Sequence, residues 1–155
     1  MAEPPKVVAI LVDNPALSSI LTMVLAAVPR LRVRAFESRV ALATYMRLAP
    51  VHLVVADFDS RDMPADRLAR ALGADPHLAT HDYDVIALAS RVTVERKRAA
   101  ILAGIDEILV KPMSPAYLLE RVLSRLEQRA ARPVAPSSRP LPANVVPLFG
   151  ERPQP

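Results

Sequence analysis

Three aspartates and a lysine carry the chemistry this sequence can offer. Asp13 follows the apolar run KVVAILV, Asp57 closes LVVAD with Asp59 two residues on, and Lys111 follows EILV. Two carboxylates and an ammonium brought to one rim suit an oxyanion together with a hard divalent cation. Mg²⁺ takes oxygen ligands, keeps several waters and commonly uses one or two carboxylates with a phosphoryl group. A lysine pairs with phosphoryl oxygen as a point charge. An aspartate held there can itself be the nucleophile and become an acyl phosphate. Each residue also has a plainer reading. Asp57 can be a loop acid or a helix cap, Asp13 before Asn14-Pro15 is an ordinary turn residue, and Lys111 before Pro112 means little unless its position is fixed by something else.

The elements supply that position. KVVAILV (6–12) is branched, apolar and continuous, as expected of a strand buried on both faces. Asp13-Asn14-Pro15 breaks it, and Leu17, Ile20, Leu21, Val24, Leu25 and Val28 recur at helical spacing until Pro29. LRVRAFE (31–37) alternates as a half-exposed strand. Ser38 caps a helix that Pro50 ends. VHLVVAD (51–57) is the third strand, and DRLARALG (66–73) a short helix with Gly73 as its stop. YDVIALAS (83–90) is the fourth strand, TVERKRAAILAG (93–104) a helix closed by Gly104, and DEILVKP (106–112) the fifth strand. Ser114 and Pro115 start a last helix over 116–129, with Tyr117, Leu118, Val122 and Leu126 as its apolar stripe.

Alternating strands and helices predict an α/β, doubly wound, five-stranded parallel sheet with helices on both faces, of order 2-1-3-4-5 and flavodoxin-like. Ligands bind such sheets outside the carboxyl ends of the strands, where the first and third strands part. Asp13 and Asp57 end those two strands, and Lys111 ends the fifth on the same rim.

The segments ILVDNPALSSIL, HLVVADFDSRDMP, VIALAS and AAILAGIDEILVKPMSPAYLLERV, in this order and spacing over about residues 5 to 127, resemble the receiver domains of two-component response regulators. The resemblance implies that Asp57 is the phosphoacceptor and Lys111 the phosphoryl-binding lysine. It further implies a Mg²⁺ held by Asp13, Asp57 and the backbone carbonyl of Asp59, with a histidine kinase or phosphotransfer protein as donor. Receivers commonly meet partners or each other through the fourth helix, fifth strand and fifth helix. Arg91, Arg96, Lys97, Arg98 and Ile108 are therefore the expected partner surface, for a downstream protein target or a homodimer. A solvated helical face remains the plainer reading of those charges.

The chain also departs from the pattern, as an atypical or degenerate member would. Val12 stands where receivers carry the first of two adjacent acids, which weakens the expected Mg²⁺ site. Ala89 replaces the Thr or Ser that ends the fourth strand, and Ser90, one residue late, is expected to point to the other side. Ile108 replaces the switch aromatic, Arg61 a proline and Ala65 a glycine. Asp59 either leans over the pocket and partly replaces the acid lost at Val12, or repels incoming phosphate. Two unit charges about 5 Å apart interact by about 3 kcal/mol at an effective dielectric of about 20, and a bound cation reverses the sign of the effect.

Composition narrows the classes. The absence of cysteine excludes disulfides and thiolate chemistry. The +4 formal charge is a small excess spread along 155 residues and marks no nucleic-acid-binding face. With three glycines, no nucleotide loop is expected, nor is any hydrolase constellation visible, so a binding and signalling role rather than an enzyme is the expectation. No signal peptide or membrane span is seen, and a cytoplasmic location is the default. His52, His77 and His81 lack ligand spacing; Asp62, Asp66 and Asp75 read as solvated loop charges. The domain is expected over 5–129. Residues 130–155 hold a proline-rich tail, expected to be disordered, with one apolar island at 144–150 and no output domain. Three functions stand side by side. The first is a stand-alone receiver phosphorylated on Asp57 and signalling by protein contact. The second is a pseudo-receiver acting as a phosphorylation-independent adaptor. The third, the weakest, is a basic nucleic-acid-binding module using Arg91 to Arg98 and the tail.

Overall fold

The structure, a computed structural model, describes residues 3–131; the expected tail island at 144–150 lies outside them. Five strands alternate with five helices: β1 (Lys6–Leu11), α1 (Pro15–Ala26), β2 (Leu31–Ala35), α2 (Arg39–Leu48), β3 (Leu53–Asp57), α3 (Ala65–Ala74), β4 (Asp84–Ala89), α4 (Val94–Ala103), β5 (Glu107–Val110) and α5 (Pro115–Ala131). The sheet is parallel throughout, in the order β2-β1-β3-β4-β5. This is the doubly wound arrangement expected from the alternation.

Side-chain period explains how one sheet feeds two cores. Along β1, Val7, Ala9 and Leu11 face a cluster built with Leu42 and Met46 of α2, Leu68 and Leu72 of α3, and Ala100 of α4. The intervening Val8 and Ile10, with Val12 just beyond, face Leu21 and Leu25 of α1 and Leu118, Val122 and Leu126 of α5. The central strands β3 and β4 are buried at every position, as their unbroken apolar runs require. Edge strand β2 is mostly exposed and correspondingly alternates with arginine.

The helix boundaries follow local chemistry. Asn14 caps α1 by accepting from the amides of Ala16 and Leu17, with Pro15 in the first turn. Ser38 and Thr93 cap α2 and α4 in the same way. Gly104 closes α4 with φ +83°, in the left-handed region that favours glycine. Gly73 does not stop α3: the helix runs through it to Ala74, and Asp75 takes the cap position. Asp75 is also no free loop charge. Its carboxylate accepts from the amide of His77 and pairs with Arg47 of α2 at 2.9 Å. Tyr117 lies off the buried stripe of α5 and is half exposed, because the packed positions are Leu118, Val122 and Leu126. Helix α5 also carries two residues past the expected domain end at 129.

Two polar features lie at the opposite end of the sheet from Asp57. Asp84, 1% exposed at the start of β4, receives Arg125 at 2.9 Å and Arg129 at 2.7 Å, clamping α5 to the sheet. Glu107 at the start of β5 pairs with Arg121 of the same helix. The second is His52, whose Nδ1 accepts the amide of Val7 at 2.9 Å and is therefore unprotonated in the fold. Burial lowers its pKa, and the positive charges of Lys6 and Arg129 lower it further. A base whose folded pKa lies below its unfolded value leaves the unfolded chain binding more protons. Its contribution is complete above about pH 6.5, the ordinary histidine value, and is lost as pH falls below it. Chemical denaturation between pH 7.5 and 5 should show stability falling, with a slope of at most about 1.4 kcal/mol per pH unit. His52→Gln, which can still accept from Val7, should flatten that slope.

Candidate functional site at the carboxyl rim

Register sets the site. Leu11 pairs with Ala56, Asp57 with Leu88, and Ala89 with Val110. The residues just past β1, at the end of β3, and just past β4 and β5 therefore share one rim, and these are Asp13, Asp57, Ser90 and Lys111. β1 and β3 are neighbours whose helices leave on opposite faces, which opens a crevice there.

Asp57 is buried, 4% exposed, and still carries a full set of donors. Lys111 Nζ reaches both its carboxylate oxygens, at 3.0 and 2.9 Å, and the amide of Asp59 donates to Oδ1 at 2.8 Å. The backbone aims the lysine: its amide donates to the carbonyl of Ala89 at 2.8 Å, extending the β4–β5 ladder by one bond. Asp13 faces the loop after β3. Its Oδ1 accepts from Ser60 Oγ at 3.0 Å and its Oδ2 from the Arg61 amide at 3.2 Å. The same Ser60 hydroxyl accepts from the amide of Met63, so the loop is braced at both ends.

Asp59 leans over the pocket, as one of its two sequence readings has it, but it is held by cations and donors. Its carboxylate receives the Ser90 amide at 2.9 Å, the Ser90 hydroxyl at 3.1 Å, Lys111 at 2.9 Å and Arg96 at 2.9 Å. Partial burial works to raise its pKa; the hydrogen bonds from Lys111, Ser90 and Arg96 outweigh burial and bring it to about 2. Lys111 shifts the other way. Burial pulls the ammonium down, yet the hydrogen bonds to Asp57 and Asp59 more than offset it and leave the pKa raised. The lysine is thus a fixed cation shared by two carboxylates.

Two placements differ from the sequence reading. Ser90 does not turn away, because β4 ends at Ala89 and strand alternation no longer governs it; its amide and hydroxyl both face Asp59. Arg96 belongs to the site as well as to α4: its guanidinium pairs with Asp59, stacks over Phe58 at 5.5 Å and donates to the carbonyl of Arg91. Arg91, Lys97 and Arg98 stay exposed, and Ile108 packs partly buried against the core beside them. Ser60 has no place in the sequence reading, and Arg61 enters it only as a departure from a proline, yet both bind Asp13. The one signal for Ser60 is its position three residues before Met63, where a hydroxyl can take a backbone amide.

The side chains offer a divalent cation only a sparse donor set, two carboxylates that would need the Asp59 carbonyl and water to complete it. Among the described residues no three His, Cys, Asp or Glu side chains come together to hold one. Asp13 and Asp57 spend their oxygens on protein donors, and Val12, where a further acid would stand, is packed in the core at 5% exposure.

No family model matches the chain, and no curated protein does. Solved structures do. A CheY-like response regulator receiver domain protein from Methanospirillum hungatei superposes with a TM-score of 0.71 at 18% identity, covering 81% of this chain and 97% of its own. The chemotaxis protein CheY4 of Vibrio cholerae gives 0.69 at 16% identity, covering 77% and 98%. The beryllofluoride-activated DrrB receiver domain gives 0.67 at 23% identity, covering 79% and 98%. Identities this low speak for architecture alone, and the architecture they establish, strand for strand in the order β2-β1-β3-β4-β5, is the response-regulator receiver fold.

Proposed function

We propose that this chain is a receiver module that takes a phosphoryl group on Asp57 and signals by protein–protein contact. The observation that carries the reading is the Asp57–Lys111 pair: a buried carboxylate at the carboxyl end of β3 with an ammonium on both its oxygens. An Asp57 oxygen would attack phosphorus in a phosphohistidine or small acyl phosphate donor. The bond from phosphorus to the donor's leaving atom breaks, and the leaving group keeps the electron pair. Lys111 then neutralises the new phosphoryl oxygens. A histidine kinase or phosphotransfer protein is the fitting donor.

The contact surface is the α4–β5–α5 face. Ile101, Leu102, Val110 and Tyr117 are exposed on these elements, as are Lys97 and Arg98. A downstream protein or a second copy of this chain can use it. Among the described residues no helix is long and apolar enough to cross a membrane. Arg96 is drawn inward, which leaves fewer exposed cations for a nucleic-acid reading; a salt-independent or absent interaction with DNA and RNA is expected.

Incubation with acetyl phosphate, followed by intact mass and peptide mapping, should place one phosphoryl adduct on Asp57, with none on Asp57→Asn. No adduct at any Mg²⁺ concentration overturns the assignment. The second reading, a phosphate-independent adaptor, is favoured by the loss of phosphoryl-facing groups at Val12 and Ala89 and of the switch aromatic at Ile108. It predicts that Asp57→Asn leaves partner capture unchanged.

A further inference from the structure

An anion already sits where an incoming phosphoryl group would go. The Ser90 amide, the Ser90 hydroxyl, the Lys111 ammonium and the Arg96 guanidinium converge from β4, β5 and α4, and all four meet the Asp59 carboxylate within 3.1 Å. Nothing about local geometry demands this. Asp59 lies in the loop after β3 and its side chain is only 26% exposed, so it is drawn toward the donors although solvent is available to it. Each donor is also fixed by something else. Lys111 is shared with Asp57, Arg96 stacks on Phe58 and bonds the Arg91 carbonyl, and Ser90 directly follows β4. The result is a preformed oxyanion cradle beside Asp57, occupied from within.

We propose that Asp59 is a built-in surrogate anion: its carboxylate fills the cradle of Ser90, Lys111 and Arg96, blocks external phosphoryl-type anions, and ties the cradle to α4. The proposal rests on reading the space beside Asp57 as a phosphoryl site, and it adds how that site is regulated. An arriving phosphoryl group must displace Asp59, because both compete for the same donors. Displacement breaks the Asp59–Arg96 pair, and Arg96 lies in the first turn of α4, where its own amide is held by the cap Thr93. This gives the site a connection to the α4 face that needs neither a hydroxyl at Ala89 nor an aromatic at Ile108. Partners that raise phosphorylation would act by drawing Asp59 out of the cradle.

The test separates the cradle from the acceptor. In an Asp57→Asn background, which removes both the nucleophile and its charge, inorganic phosphate is titrated at constant ionic strength and followed by the Ser90 amide resonance. The Asp57→Asn/Asp59→Ala protein should bind phosphate about tenfold or more tightly than Asp57→Asn alone, as expected from removal of one unit of like charge at close range. Adding Lys111→Met should abolish the gain. Equal affinity with and without Asp59, or no saturable binding in the double variant, overturns the proposal. Should Asp59→Ala not fold, Asp59→Asn, of the same shape without the charge, carries the comparison. Acetyl phosphate labelling of the native chain reports separately on Asp57, so loss of the acceptor role and loss of the surrogate role give different patterns.

Discussion

Asp84→Ala should lower the stability of the domain by about 3–5 kcal/mol, the largest effect of any polar substitution outside the carboxyl rim. The carboxylate is almost wholly buried and receives Arg125 and Arg129 on its two oxygens. Both guanidiniums are themselves largely covered, at 16% and 17% exposure. Removing the acid leaves two cations close together without their most buried counter-ion: Arg125 keeps Asp106 and Glu107 at 3.9 and 3.8 Å, and Arg129 keeps Asp82 and the Tyr83 carbonyl among its partners. An uncompensated buried charge costs far more than the intact pair gains, which is why truncation of one partner is so expensive. Urea denaturation should show the midpoint falling with little change in slope, as expected if the native surface is unchanged. Arg125→Met with Asp84→Ala should recover part of the loss, because the pair is then replaced by apolar volume. A loss below about 1 kcal/mol in Asp84→Ala would mean that the network is solvated and contributes like a surface ion pair.

The sheet was legible because β1, β3 and β4 are apolar without interruption, and burial on both faces leaves few other readings. The order β2-β1-β3-β4-β5 followed from the handedness of crossovers, and with it the meeting of Asp57 and Lys111. What stayed illegible depends on where an element stops. A strand running through Ser90 would turn its side chain to the other face; β4 ends one residue earlier, which frees the amide and hydroxyl for Asp59. Gly73 has the residue type of a helix stop, yet α3 is tied down by Leu68, Ala69 and Leu72 in the core and runs past it. Arg96 looked like one charge of a basic run, and only the position of α4 over the pocket distinguishes it from Lys97 and Arg98. Side-chain direction across loops is set by tertiary contacts that no local pattern encodes.

Lys111→Met should cost about 2–4 kcal/mol, and Asp57→Asn should return much of it. The ammonium is the shared counter-ion of two carboxylates: it bonds both oxygens of Asp57 and reaches Asp59 at 2.9 Å. Without it, Asp57 keeps the amide of Asp59 but has no cation, in a position 4% exposed. Asp59 fares better, since Ser90 and Arg96 still hold it. The penalty should therefore fall mainly on Asp57, and neutralising that residue should relieve it, whereas Asp59→Asn should relieve less. A double-mutant cycle over these three positions, read by denaturant midpoint, gives the coupling directly. Equal rescue by Asp57→Asn and Asp59→Asn would show that Lys111 serves the two acids alike. No coupling between Lys111 and Asp57 would remove the pair as the centre of the site. The asymmetry bears on the proposed function: a lysine committed chiefly to Asp57 holds that carboxylate in place, while Asp59, still held by Ser90 and Arg96, can give up its share of the ammonium.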